Sequence, residues 1–184
     1  IGYLARIAPE KGLHNLVDAF IQLRQMPQTE DTRLTIAGWL GQHHRAYADQ
    51  QLEKLRCAGL LDSVEMSTSV DRAKKLEMLR QIDLLSVPTT YQEPKGIYVL
   101  ESLAAGVPVV QPAHGIFPEL IQSTGGGKLV PPENPELLAA ALHELLVDPQ
   151  QRLHLATTGR TAVHQQRNAT AMARSLLEVI ERVR

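Results

Sequence analysis

A chain of 184 residues, 43% of them hydrophobic, is long enough to bury a substantial core and fits one domain slightly above the commonest size. Nineteen basic against twenty acidic residues leave a formal charge of -1, so no overall basic field exists to gather nucleic acid or an anionic membrane. Cys57, the single cysteine, excludes an internal disulfide framework and a thiolate metal site, and fits a reducing compartment. No apolar run approaches the roughly 20 residues of a membrane span, and no signal-peptide pattern opens the chain, so a soluble, cytoplasmic protein is expected.

The chain opens on Ile1 inside "IGYLA", an apolar run that reads as a strand already under way; the expectation is a portion of a longer polypeptide. "APEKG" supplies turn residues before "LHNLVDAFIQL", where Leu13, Leu16, Val17, Phe20 and Leu23 recur at helical spacing. The strand-loop-helix unit then repeats. "RLTIAG" (33–38) reads as a strand before a polar helix near 44–58 carrying Leu52, Leu55 and Cys57. "SVEMS" (63–67) precedes a helix from about Asp71, a good N-cap, to Gln81. "DLLSVP" (83–88) is the fourth strand, followed by a loop and a helix from about Tyr98 to Ala105. "VPVVQP" (107–112), a short helix over 116–122 and "KLVPP" (128–132) complete the alternation. Beyond Pro132 only helices are expected: one capped by Asn134 with Pro135 at its first position, one restarting at Asp148 and Pro149, and a last amphipathic one over "NATAMARSLLEVIERV". Six short apolar runs alternating with helices, without hairpin signals, predict an α/β fold: a Rossmann-like open parallel sheet of about six strands with flanking helices and a helical C-terminal tail over about 134–182.

In open parallel sheets ligands sit beyond the carboxyl ends of the strands. The loop after the first strand, "RIAPEK", carries Arg6 and Lys11, a pair suited to a diphosphate, the arginine through its planar fork and the lysine as a point charge; solvated surface charges are the other reading. The loop after the fourth strand, "VPTTYQEPKGIY", ends in a Pro-Lys-Gly turn whose N–H groups point outward at a helix start, where anions are attracted. At about 100° per residue, Val99, Leu100, Leu103 and Ala104 share a face and Glu101 falls off it. Glu101 then serves either a ligand or the helix dipole. Glu93 precedes proline in an extended segment and caps nothing evident, so two carboxylates flank the turn, each able to accept two hydrogens from a vicinal diol.

"EPKGIYVLESLAAGVPVVQPAHGIFPELI" resembles the Glu-x7-Glu region of retaining glycosyltransferases of family 4, which have the two-domain GT-B fold. "LARIAPEKG" is similar to that family's basic loop, and "TGGGKLVPPENPELLAAALHELLVD" to the stretch that closes its C-terminal domain. The resemblance implies one half of a GT-B fold, residues 1–184 forming a single nucleotide-sugar-binding domain, with the N-terminal domain and its acceptor site lying outside this sequence. It implies transfer of a sugar from a nucleoside-diphosphate donor to a hydroxyl acceptor with retention of configuration. No metal and no cofactor are required, the nucleotide sugar being a substrate. By resemblance Arg6 and Lys11 bind the diphosphate and, with Glu93, form the catalytic set. Glu93 holds sugar hydroxyls, Glu101 the ribose, the backbone around Gly96, Ile97 and Tyr98 the sugar and phosphates, and Thr68 to Val70 the base. The isolated domain is expected to bind donor and transfer poorly, since acceptor positioning and water exclusion need both walls.

The sequence also departs from the family: Ala5 stands where Gly is usual, Met66 and Ser67 near another usual Gly, and Lys95 where an aromatic is common. A non-catalytic GT-B-like assembly or regulatory module is the alternative, while "GYLARIAPEKG" lacks the GxGxxG turn of a nicotinamide-binding domain. Adjacent His43 and His44 diverge on a helix and no HExxH pair exists, so no metal site is expected. His114 is either an exposed loop histidine or a wall of the site. In "TGGGK" the lysine is followed by Leu129 rather than Ser or Thr, so a turn is expected there instead of a phosphate loop. Trp39 and Tyr47 are too few for a nucleic-acid stacking surface. The mixed-charge C-terminal helices are expected to be solvated, one of them able to cross back onto a partner domain.

Overall fold

The protein is described by a computed structural model covering residues 1–183. Strands β1 (Gly2–Leu4), β2 (Leu34–Ala37) and β3 (Val64–Ser67) pair in parallel in the order β1-β2-β3, and β4 (Val109–Pro112) pairs in parallel with β5 (Gly127–Val130). Leu85 joins the two groups by parallel bridges to Gly2 and Val109, so the spatial order is β3, β2, β1, the Leu85 segment, β4, β5.

The expected fourth strand over 83–88 is thus reduced to one bridging residue. Around it the ladder is intact: Gly2 N–H donates to Leu84 C=O (2.8 Å) and Val110 N–H to Leu85 C=O (3.0 Å). Past Ser86 the backbone leaves the ladder. Val87 N–H donates to the side-chain oxygen of Gln111 at 3.3 Å, and Thr89 N–H turns back to Val87 C=O at 2.8 Å. Pro88 has no N–H to offer a neighbour.

Both faces of this sheet are covered, as parallel sheets require. Side chains alternate between the faces: Leu84 and Val110 pack with helix α1 (Leu13–Leu23) and α6 (Pro135–Val147), while Leu85 and Val109 pack with α4 (Ile97–Ala104) and α5 (Phe117–Thr124). The five apolar residues of the α1 pattern, Leu13, Leu16, Val17, Phe20 and Leu23, are all buried. On α2 (Arg45–Cys57) Leu55 is buried but Cys57 is exposed.

Caps set the helix starts where the sequence places them. Asp71 accepts from Lys74 N–H (2.8 Å) ahead of α3 (Arg72–Gln81), and Asn134 from Leu137 N–H (2.9 Å) ahead of α6. Asp148 accepts from Gln151 N–H (2.9 Å) ahead of α7 (Pro149–Gln166), each cap worth about 1 kcal/mol. Within "TGGGK", Gly125 and Gly126 make the turn between α5 and β5, with Gly125 as the α5 C-cap, and Gly127 and Lys128 open β5. Helix α8 (Ala169–Val183) stands off both clusters, with Met172, Leu176, Leu177, Val179 and Ile180 exposed. No helix among the described residues is long and apolar enough to cross a membrane.

Candidate functional site

The loops leaving β1, β2, β3 and the Leu85 segment gather at the carboxyl edge of the sheet, where two of them are joined backbone to backbone. Thr90 N–H donates to Glu10 C=O at 3.1 Å. Gly12 has φ 71 and lies so close to the second loop that a Cβ there would stand 1.7 Å from the Pro88 carbonyl oxygen. Inside the first loop the fully buried Tyr3 donates from its hydroxyl to Arg6 C=O (3.0 Å), with Lys11 C=O at 3.5 Å. A core tyrosine of β1 therefore holds both ends of "RIAPEK".

That arrangement buries Lys11 and Glu93 against each other. Lys11 Nζ donates to Glu93 Oε2 (2.6 Å) and to the Tyr91 hydroxyl (2.5 Å), and lies 4.8 Å from the centre of the Tyr91 ring. Tyr91 donates in turn to Glu93 Oε2 at 2.7 Å, and the Tyr98 hydroxyl reaches the same oxygen at 3.3 Å. The other oxygen, Oε1, accepts from the N–H groups of Lys95 (3.3 Å) and Gly96 (3.5 Å). Five donors converge on a residue that is 5% exposed. Burial pushes the Glu93 carboxyl up, but the hydrogen bonds from Lys11 and Tyr91 and the Lys11 charge outweigh it and lower it to about 2. Burial, then Glu93 itself, raises the Tyr91 and Tyr98 phenols, so both stay protonated donors. The Glu93 backbone is braced from the N-cap of α5, Ile116 N–H donating to its carbonyl at 2.9 Å. His114 braces the same loop: its Nε2 carries the proton and donates to Thr89 C=O at 2.9 Å.

The Pro-Lys-Gly turn ends at Gly96, whose φ of 58 starts α4 in a left-handed conformation that a side chain would strain. Ile97 and Tyr98 are the first two helical residues, ahead of the bond from Val99 N–H to Gly96 C=O (2.9 Å), so their N–H groups have no partner within the helix. Gly96 N–H, in contrast, is engaged by Glu93.

Beside this cluster lies a cleft of about 970 Å³. Ala5, Thr68, Val70, Ile97, Tyr98 and Glu101 line it, along with Trp39 and Lys75. Glu101 stands half-buried on its wall and pairs with Lys75 Nζ of α3 at 2.5 Å. The structure thus groups Lys11, Glu93, Gly96 and Tyr98 in one contact set, and Val70, Ile97, Tyr98 and Glu101 around the cleft. Tyr98 belongs to both. Arg6 is in neither: its side chain is 55% exposed and pairs with Glu10 at 3.2 Å.

Three site residues escape the sequence reading. Tyr91 has a legible signal, since two residues before Glu93 in an extended segment is the same side of the chain. Lys75 has none, being 26 residues from its partner in sequence. Trp39 is set aside there as too little aromatic surface for nucleic acid.

The glycosyl transferases group 1 family matches residues 1–162 of the chain. D-inositol 3-phosphate glycosyltransferase of Kineococcus radiotolerans is 32% identical over 191 residues, a match that takes in 98% of this chain and 43% of that protein. The chain therefore spans less than half the length of that relative. Among solved structures, Anabaena Alr3699/HepE, crystallised in complex with UDP, superposes with a TM-score of 0.86 at 24% identity over 98% of this chain and 48% of its own. The C-terminal domain of the glycosyl transferase group 1 protein LpcC from Francisella tularensis superposes with a TM-score of 0.82 at 22% identity, over 91% of this chain and 85% of its own. With a family match over nearly the whole chain and the site at the sheet's carboxyl edge, this chain belongs to the glycosyl transferases group 1 family.

Proposed function

We propose that the chain is the donor-binding half of a retaining, GT-B-type glycosyltransferase, taking a nucleoside-diphosphate sugar. The observation that carries this reading is the convergence of a buried cation and carboxylate, Lys11 and Glu93, on the start of α4 beside an open cleft of about 970 Å³. An ammonium has three donors, and Lys11 uses two of them on Tyr91 and Glu93, leaving one for a phosphate oxygen. The Ile97 and Tyr98 N–H groups and the exposed guanidinium of Arg6, released from Glu10, add donors where charge grows on the leaving diphosphate. In this reading no metal is needed for that charge.

Glu93 begins with its acceptor sites filled, so a sugar hydroxyl displaces the weakest of its donors, Gly96 N–H at 3.5 Å or the Tyr98 hydroxyl at 3.3 Å. Glu101, held by Lys75, takes the ribose diol. That HepE, which shares this fold, was crystallised in complex with UDP supports a nucleotide as ligand. A second, N-terminal domain bearing the acceptor site completes the enzyme; the relative's greater length and the uncovered apolar face of α8 support it. Alone, this half binds donor and transfers poorly.

Calorimetry of the folded chain with UDP-, GDP- and ADP-sugars tests the reading, and one of them is expected to bind. Glu93→Gln should weaken the nucleotide sugar more than the free nucleotide, and Glu101→Gln should weaken both. Absence of binding to every one of them, with folding intact, favours a non-catalytic module instead.

A further inference from the structure

We propose that Trp39 is the platform on which the base of the donor nucleotide stacks, an assignment that rests on the donor-binding reading above. Trp39 is the only tryptophan of the chain, and it is 58% exposed. Tryptophan is on average a highly buried residue, because leaving an indole in water forfeits a large hydrophobic gain. Here the indole contributes to neither core cluster. It lines the cleft instead, in company with the apolar Val70, Leu76 and 56% exposed Ile97, while Thr68, Ser69, Asp71, Arg72, Lys75, Tyr98 and Glu101 supply the polar groups. An apolar slot edged by a few polar groups suits a flat heteroaromatic ring with a polar rim.

The backbone that carries the indole is held in place. Trp39 C=O accepts from Ile7 N–H at 2.9 Å, and Gly38 N–H donates to Ser67 C=O at 3.0 Å, fixing the backbone between the first and third loops. A Cβ on Gly41 would come within 2.9 Å of the indole Cη2 and 3.2 Å of Cζ3, so the benzo edge lies over Gly41, where a larger residue would crowd it. A backbone already fixed before binding loses little entropy when a ligand covers the side chain it carries.

The order of the strands matches the order of groups in a nucleotide. Along the carboxyl edge the Leu85 segment and β1 carry the Lys11 and Glu93 grip, β2 carries Trp39, and β3 leads to Thr68–Val70. Trp39 thus follows the strand next to β1, whose loop carries Lys11, on the side away from the Leu85 segment, whose loop carries Glu93. Glu101, the ribose grip in the donor-binding reading, lines the same cleft as the indole. Stacking does not choose among bases, since every base has a π-face; that choice falls to the polar edges of Thr68 to Val70.

Because Trp39 is the sole tryptophan, tryptophan emission excited beyond the absorption of the four tyrosines reports on it alone. UDP, GDP and ADP would each be titrated into the folded chain, with ribose 5-phosphate and pyrophosphate as partners lacking a base. The nucleotide that binds is expected to quench or shift the Trp39 emission, whereas ribose 5-phosphate and pyrophosphate leave it unchanged. By calorimetry Trp39→Ala should weaken that nucleotide about tenfold, and Trp39→Phe should retain most of the affinity. The affinity for pyrophosphate should be the same in all three proteins. Nucleotide binding with unaltered emission and a wild-type affinity in Trp39→Ala would overturn this assignment and leave donor binding standing. Failure of every nucleotide and nucleotide sugar to bind the folded wild-type chain would overturn the donor-binding reading and this assignment with it.

Discussion

Lys11 and Glu93 sit 82 residues apart in sequence and 2.6 Å apart in space, and both are nearly excluded from water. A buried ion pair gains little over an apolar pair of the same shape, but removing one partner strands the other charge. Lys11→Met is therefore expected to destabilise the chain by about 3 kcal/mol in urea unfolding, with the double variant Lys11→Met/Glu93→Gln recovering part of that loss. Acid should act through the same group. The Glu93 carboxyl is lowered from 4.5 to about 2 in the folded chain, so its contribution is present above pH 4.5 and lost as the pH falls through about 2. That contribution is on the order of 3 kcal/mol, and Glu93→Gln is expected to flatten the acid limb of the stability curve over that window. Tyr91 binds both members of the pair, so Tyr91→Phe should cost about 1–2 kcal/mol and shift the same limb upward in pH.

At the level of elements, the helices follow from local rules. Asp71, Asn134 and Asp148 each cap the helix that their sequence position announces, because a cap is a contact between residues three apart. The fourth strand does not follow from local rules. "DLLSVP" has the composition of a buried strand, yet its pairing ends once Gln111, 24 residues away, takes the Val87 N–H. The loops at the carboxyl edge are joined in the same non-local way, and Gly12 is where the join is tightest. Gly12→Ala would both force an L side chain to φ 71 and drive its Cβ to 1.7 Å from Pro88. The expected outcome is a loss of about 3 kcal/mol or more in urea unfolding, with nucleotide-sugar affinity falling further than in a surface variant of equal stability.

At the scale of the molecule, the sheet and its two apolar clusters contain no residue of α8 among the described residues. Every described side chain of α8 except Ala171 is exposed, and none belongs to either cluster. A chain ending at Asn168 is expected to keep its thermal midpoint within about 2 °C and to self-associate less than the full chain in analytical ultracentrifugation.

Much of this architecture was legible in the order of residues alone. Apolar runs of period 2 and 3.6, caps and proline positions are short-range signals, and they identify eight helices and five of the strands in their correct order. The ordered set of motifs likewise pointed to the family and to Glu93 and Glu101. What the residues could not disclose is who meets whom. Lys11 with Glu93, Lys75 with Glu101, and Trp39 at the rim of the cleft are products of chain segments brought together by burying the two faces of one parallel sheet. Such pairings depend on the whole core being in place, which is why only the tertiary structure decided them.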